Sequence, residues 1–239
     1  MLRPMIKVAA TLLALLLYAS VHAKDEVLAA VLDGRWTYNA ARSVQVDPDL
    51  EITSTATGSV LLNGRTAAWT PLAAGSWQVE TSVVTLHDDT LTRAIHSKLP
   101  DGSPFERTTT YRRTGHGRDL VGHWHSIKVD TGSTWDGFII STAPDGVVTW
   151  RIPTDLQVIT GPFDGSDLPV VGPHGPTGET MAVSVTGPGR FTYIKKSAGQ
   201  ISDRGTITLS PDHHWMTEVT WEASQPQRKS RLVYERELR

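Results

Sequence analysis

The stretch LVGHWHSIK, residues 120–128, places a tryptophan between two histidines, with a glycine two residues before the tryptophan. Side chains two residues apart point to the same face of a β-strand, so His123 and His125 would share one face and Trp124 would take the other. Histidines on one face are a frequent arrangement for binding a metal ion. The alternative is that the Gly-x-Trp unit shapes the fold and that the histidines lie on the outer surface.

A second Gly-x-Trp unit lies near the start of the chain. LDGRWTYNAARS at residues 32–43 shares a Leu-x-Gly-x-Trp pattern with LVGHWHSIKVDT at residues 120–131. Residues 85–113 resemble residues 208–236, because each segment has Thr-Leu, an acidic turn, a strand, a polar hairpin and a final strand that ends in Tyr-x-Arg. We interpret these similarities as two copies of one unit.

The repeat predicts how the chain is divided into domains. We expect a first β unit at residues 33–113, a linker at residues 114–119 and a second β domain at residues 120–239. The first copy is the shorter one, so we expect it to be trimmed or to share its sheet with the second copy.

The histidine pair has no counterpart in the first copy. Arg35 and Thr37 stand where the second copy has His123 and His125, whereas the glycine and the tryptophan recur. If Trp124 points into the core, both histidines point outward. Zinc fingers need closely spaced Cys and His pairs, and the chain has no cysteine. We therefore predict no metal ion and no other cofactor.

Alternation of apolar and polar residues with a period of two dominates the chain after Leu32. Clear examples are VVTWRI (147–152), MAVSV (181–185), RFTYIKK (190–196), GTITL (205–209), WMTEVTW (215–221) and SRLVYER (230–236). Turns rich in Gly, Pro and Asp separate them at intervals of about 8 to 12 residues, which is typical of an antiparallel meander closed into a barrel or folded into a sandwich. The predicted class is all-β, with one short helix at residues 24–32.

Residues 1–23 have the three parts of a secretory signal. Arg3 and Lys7 precede the apolar run VAATLLALLLY at residues 8–18, and SVHA ends the segment at Ala23. The apolar run is shorter than the roughly 20 residues that a membrane-spanning helix needs. We expect cleavage near Ala23 and a periplasmic or secreted protein without a stable membrane anchor, the alternative being an uncleaved anchor.

Charge and composition exclude other classes of protein. The chain has 23 Lys and Arg, two of them in the signal segment, and 25 Asp and Glu, so the mature chain has a net charge of −4. A nucleic-acid-binding surface needs clustered basic residues, and we therefore expect no nucleic-acid partner. Because cysteine is absent, the core must be stable without disulfide bonds.

The two Gly-x-Trp units, together with an arginine near the end of each copy, resemble the closure of lipocalin (calycin) barrels. In that family an arginine of the last strand packs over a tryptophan that plugs one end of the barrel. The resemblance implies closure residues Gly34, Trp36, Arg113, Gly122, Trp124 and Arg236. It pairs Trp36 with Arg113 and Trp124 with Arg236.

Longer segments resemble an uncharacterised family of exported bacterial lipocalin-like β proteins, some of which hold two copies. They are GRWTYNAARS (34–43), GPFDGSDLPVVG (161–172), ETMAVSV (179–185) and RLVYERE (231–237). The resemblance covers most of residues 33–237 and implies antiparallel meander barrels and export. No reaction is assigned to that family, so the resemblance implies no catalytic residues.

Aromatic residues provide the candidate binding site. On the apolar face of their strands in the second copy lie Phe138, Trp150, Phe191, Tyr193 and Trp221. Because a small barrel can hold one ligand, they predict a lumen that binds a small, largely apolar molecule without catalysis. The alternative is an ordinary packed core.

Two further functions remain open from the sequence. An isomerase or cyclase on the same scaffold would need a polar group buried among the aromatics, such as Lys195 or His96. A structural or interaction module of the cell envelope would need no pocket. Glu218 and Glu222 alternate with apolar neighbours, so we expect them on the outer face, where acid–base catalysis is not supported.

We expect the exported protein to begin near Lys24, because the residues before it fit a signal-peptidase site. Ala23→Arg, which removes the small residue at that site, is expected to block processing, whereas the control Ala29→Arg is not. Intact mass of the exported protein measures this, and residues 1–23 retained in the soluble wild type would contradict it.

Overall fold

A computed structural model describes residues 31–237, apart from residues 57–58, 64, 101, 117–118 and 132–136. The expected signal segment, residues 1–23, and most of the helix expected at residues 24–32 lie outside the described residues; residues 31 and 32 are helical. In the described part of the chain, no helix is both long enough and apolar enough to cross a membrane.

The described residues form eighteen strands and one short 3-10 helix, Ala40–Arg42. The strands are β1 Gly34–Tyr38, β2 Leu50–Ala56, β3 Ser59–Leu62, β4 Arg65–Ala73, β5 Ser76–Val79, β6 Ser82–His87, β7 Thr90–Lys98, β8 Pro104–Thr114, β9 Gly122–Thr131, β10 Phe138–Thr142, β11 Val148–Ile152, β12 Gln157–Gly161, β13 Asp164–Gly172, β14 Gly175–Gly187, β15 Arg190–Ser197, β16 Gln200–Leu209, β17 Trp215–Glu222 and β18 Ser230–Arg236. All their pairings are antiparallel, as alternating strands joined by short turns favour.

The strands close into two barrels, which confirms the all-β class and the two related barrels. One barrel has ten strands, β1 and β10–β18, and the other has eight, β2–β9. The eight-stranded barrel is therefore inserted between the first and second strands of the ten-stranded barrel. It is also the smaller one, as expected for a trimmed first copy.

This division differs from the one expected from the repeat. Strand β1 closes the barrel built from the second copy, and β9 closes the barrel built from the first. Residues 115–121 connect β8 to β9 within one barrel and do not link two domains. Sequence similarity identifies two equivalent closing strands, β1 and β9, but both carry Gly-x-Trp, so it does not determine which barrel each one joins.

Each barrel is closed by a Trp–Arg contact, and the pairs expected from the resemblance are wrong. Arg236 lies 5.5 Å from the ring centroid of Trp36, and Arg113 lies 4.1 Å from that of Trp124. The partners are directly opposite each other in register, Trp36 with Arg236 and Trp124 with Arg113. The exchange of β1 and β9 between the barrels is the physical reason for the exchanged pairs.

The two closing contacts have the same hydrogen bonds and the same spatial requirement for glycine. The Trp36 indole donates to the Leu32 carbonyl at 2.9 Å, and the Trp124 indole donates to the Leu120 carbonyl at 3.0 Å. A Cβ on Gly34 would lie 3.1 Å from the guanidinium of the arginine that closes its barrel, and φ there is +147°. Both tryptophans are fully buried, so we call this the closed end of each barrel.

The opposite, open ends are joined by the chain crossing between the barrels. Strand β1 starts at the closed end and is followed by the 3-10 helix and by residues 44–49, which lead to β2. Strand β18 runs from Ser230 at the open end to Arg236 at the closed end, and β9 likewise ends at Thr131 at the open end. Both connections between the barrels therefore leave from open ends.

The exchanged topology predicts which engineered cysteines can form a disulfide bond. Thr37 lies opposite Glu235 in register, whereas the unexchanged order would place Thr37 opposite Arg112. We expect Thr37→Cys with Glu235→Cys to cross-link, because neighbouring strands bring Cα atoms to about 4.5–5.5 Å, within disulfide range. Thr37→Cys with Arg112→Cys is the matched control and should remain reduced.

Free-thiol titration and non-reducing electrophoresis measure this outcome, and the chain's lack of native cysteine makes any intramolecular cross-link attributable to the introduced pair. Cross-linking of the Thr37 and Arg112 pair alone would contradict the exchange of β1 and β9.

Candidate functional site

Four of the five predicted lumen residues lie together in the interior of the ten-stranded barrel. Phe138, Trp150, Phe191 and Tyr193 are buried in one core cluster. The ring centroids of Phe138 and Trp150 are 4.9 Å apart, and Phe138 is 4.6 Å from the Tyr234 ring. The interior at this level is packed by side chains against one another, as in an ordinary core.

The fifth residue, Trp221, lies on the outer face of β17, and the predicted orientation of that strand is wrong. Met216 of β17 is fully buried, so the even-numbered residues of this strand point inward. Glu218 is therefore inside the barrel and Trp221 is outside it. Trp221 is partly buried under Lys229, whose Nζ is 4.6 Å from its ring centroid. Alternation alone could not orient β17, because its outer face carries partly covered apolar side chains.

Inside the barrel, Glu218 is held by two phenols. Tyr193 donates to Oε1 of Glu218 at 2.5 Å, and Tyr234 donates to Oε2 at 2.9 Å. Burial raises the pKa of Glu218 above its usual value, although both phenol hydrogen bonds favour the charged form. Burial, with the nearby Glu218 charge, also raises the pKa of Tyr193. Thr220, 2.8 Å from the Tyr193 hydroxyl, continues this polar chain toward the open end.

The open ends of both barrels line one cavity of about 160 Å³, here called the junction cavity. Its polar walls include Asp47, Arg107, Asp203, Thr220, Glu222 and Arg228, and the aromatic residue Trp221 also lines it. Arg107 belongs to the eight-stranded barrel, whereas Asp203 and Thr220 belong to the ten-stranded barrel. A neighbouring cavity of about 660 Å³ shares Glu222 with it and reaches His123.

Two carboxylates face each other across the junction cavity wall. Asp203 and Glu222 are directly opposite in the pairing of β16 with β17, so they share one face. Burial, and then the charge of Asp203, raise the pKa of Glu222. Asp203 makes no side-chain hydrogen bond to any other described residue, so it is an available acceptor at the open end.

The histidines of the opening stretch have different surroundings. Exposed His123 lies 3.8 Å from Glu51, whereas His125 lies 3.2 Å from Asp49 and accepts at 2.9 Å from Arg228 of the other barrel. His125 is therefore a contact between the barrels. Across the described ranges, no group of three His or acidic side chains could hold a metal ion.

The residues considered for an enzyme are not buried among the aromatic rings. Lys195 is 3.0 Å from Glu179, with about a third of its side chain exposed, and His96 is 3.6 Å from Glu106 on the surface. Sequence reasoning missed Glu218, Asp203 and the junction cavity. The sequence did leave the orientation of Glu218 open, because its strand carries apolar residues on both faces.

Comparison of the chain with known protein families, with curated proteins and with solved structures gives no match. The site is therefore defined by its own geometry: a packed interior, a buried carboxyl with a raised pKa, and a polar cavity where two open ends meet.

The raised pKa of Glu218 predicts a pH dependence of stability. A carboxyl whose pKa is higher in the folded state favours folding most when protonated, so its contribution falls as pH rises from its unfolded value toward its folded one. We expect the free energy of unfolding of the wild type, relative to Glu218→Gln, to fall as the pH rises above the ordinary glutamate pKa of 4.5. Urea titrations measure this difference.

Glu80→Gln, outside the barrel interior, is the matched control, and its difference from the wild type should not follow this trend. A wild type that gains stability relative to Glu218→Gln as pH rises would contradict the assignment.

Proposed function

We propose that this protein is an exported, lipocalin-like protein that binds a small molecule at the junction cavity and catalyses no reaction. The observation that carries this proposal is that side chains of both open ends line one polar cavity with an aromatic wall. The aromatic interior is packed, so a small apolar molecule finds its contacts at the open end of the ten-stranded barrel.

The charges of the cavity define the complementary ligand. Asp203 and Glu222 supply acceptors on the ten-stranded side, and Trp221, from the outer face of β17, also lines the cavity. Arg228 is occupied by contacts with Ser126 and His125. A ligand with an apolar body and a donor such as an amine or a hydroxyl fits this wall. Its donor would meet Asp203, which has no side-chain hydrogen bond to another described residue, and its apolar surface would meet Trp221.

Export is supported by the N-terminal segment and by the family resemblance. The chain has a basic start, an apolar run and a small-residue exit at Ala23. The resemblance to exported lipocalin-like proteins covers most of residues 33–237, and two closed antiparallel barrels agree with it at the level of architecture.

An isomerase or cyclase is the second candidate, and Glu218 is the observation in its favour. A carboxyl with a raised pKa beside two phenols is a composition found in acid–base sites. However, Tyr193 and Thr220 lie between Glu218 and the cavity. A general acid must reach its substrate within hydrogen-bond distance, so this placement favours binding over catalysis.

A paired-probe titration tests the proposed function. A dansyl fluorophore carrying a free amine is compared with the same fluorophore carrying an amide. We expect the amine probe to bind the mature protein with a rise in fluorescence and Trp221→Leu to weaken it about tenfold, the effect of losing about 1.4 kcal/mol of ring contact.

Trp215→Leu is the matched control, since Trp215 is also an outward-facing tryptophan of β17 under a basic side chain but does not line the junction cavity. We expect the affinity of Trp215→Leu for the amine probe to stay within about twofold of the wild-type affinity, because surface substitutions usually change free energies by no more than about 0.5 kcal/mol. Equal loss in both variants, or no binding with the fold intact, would support the structural-module alternative instead.

A further inference from the structure

The side chain of Asp47 is inserted into the open end of the eight-stranded barrel. Its two carboxylate oxygens accept from Arg107 Nη2 and from the Thr109 hydroxyl. Only 18% of the Asp47 side chain and 27% of the Arg107 side chain are exposed. Thr109 is 2% exposed, so Asp47 reaches a largely desolvated position.

More donors surround this carboxylate than it uses. Thr109 and Tyr111, two residues apart, both lie on the inner face of β8. Ser126 of β9 is directly opposite Tyr111 in register. Ser126 is 5% exposed, and its hydroxyl has no hydrogen-bond partner in the described structure. The Asp47 charge is the second cause, after burial, that raises the pKa of Tyr111 to about 12, so the carboxylate acts on this phenol as well.

A second arginine lies deeper in the same interior. Arg93 is opposite buried Val84 on β6, which places both on the inner face, and its Nε donates to Ser82 at 3.1 Å. The barrel itself contributes these cationic and hydroxyl groups, whereas the anion comes from outside it. Asp47 belongs to residues 44–49, the crossing segment between the barrels.

We propose that the open end of the eight-stranded barrel is a carboxylate-binding site, occupied in this structure by the chain's own Asp47, that takes a small free carboxylate when Asp47 is absent or withdrawn. Arg107 supplies the charge, and the Thr109 hydroxyl supplies a second donor, the pair that a carboxylate prefers. Unpaired Ser126 lies on the same inner face.

The covalent attachment of Asp47 to the crossing segment explains why Asp47 occupies the site in this structure. A side chain attached to a short segment competes at an effective concentration in the millimolar range or above, so millimolar free carboxylate does not displace it. The site shares Asp47 and Arg107 with the walls of the junction cavity but takes a different ligand. Its ligand is an anion bound by the eight-stranded barrel, whereas the amine probe is held by Asp203 and Glu222 of the other barrel.

The test is anion rescue of Asp47→Ala. Its melting temperature is measured with sodium formate, sodium acetate or sodium chloride at equal ionic strength. We expect formate and acetate to raise it above the chloride value, by about 4 °C at ten times the dissociation constant. The wild type should respond to the three salts equally.

Asp49→Ala is the matched control, because it removes a carboxylate two residues away whose partners, His125 and the Ser126 amide, lie outside the barrel interior. Its response should match that of the wild type. Adding Arg107→Met to Asp47→Ala should abolish the rescue. If Asp47→Ala does not fold, Asp47→Asn is titrated with labelled formate by NMR.

An equal response of Asp47→Ala to formate and chloride would overturn the proposal, as would rescue that survives Arg107→Met. Loss of amine-probe binding with formate rescue retained would sink the proposed function alone, so the two failures are distinguishable.

Discussion

The arginine stacked over a buried tryptophan is the contact on which the arrangement of both barrels depends. It occurs once in each barrel, with the same indole hydrogen bond and a glycine that leaves room for the guanidinium. A desolvated cation–π contact contributes about 2 kcal/mol, in addition to the burial of the ring. Because β1 and β9 both carry this unit, the chain can close each barrel with the strand of the other copy. That choice inserts one barrel into the other and brings the open ends together.

Placing two open ends together concentrates polar groups where neither barrel is fully packed. Each charged group there has lost part of its hydration and is compensated by a neighbour, as Asp47 is by Arg107 and Asp49 by Arg228. Asp203 is the exception among these groups, since it has no side-chain partner in the described structure. The interior holds the aromatic rings, and the junction holds polar acceptors such as Asp203, so the polar groups of the cavity are separated from the packed core.

Much of the fold could be predicted from the sequence because period-two alternation and turn residues are local. The repeat and the Gly-x-Trp units were also visible. Which arginine covers which tryptophan could not be predicted, because the competing strands are equivalent in the residues that matter. The inward orientation of Glu218 was missed for a different reason: its burial is compensated by Tyr193 and Tyr234, which lie on two other strands. The junction cavity depends on the exchange of β1 and β9 and on the orientation of β17.

The insertion of one barrel into the other also sets the order in which the chain can fold. Residues 50–131 supply every strand of the eight-stranded barrel, so that barrel can be completed as soon as they are synthesised. Strand β1 is made earlier and can pair with β10 once that strand follows, but its other edge has to wait for β18, and Thr37 and Glu237 hydrogen-bond across 200 residues of sequence. Contacts this distant slow folding and leave an unpaired edge exposed meanwhile. The first described strand is thus among the last to be paired on both sides, and its edge toward β18 stays available to a neighbouring chain until then.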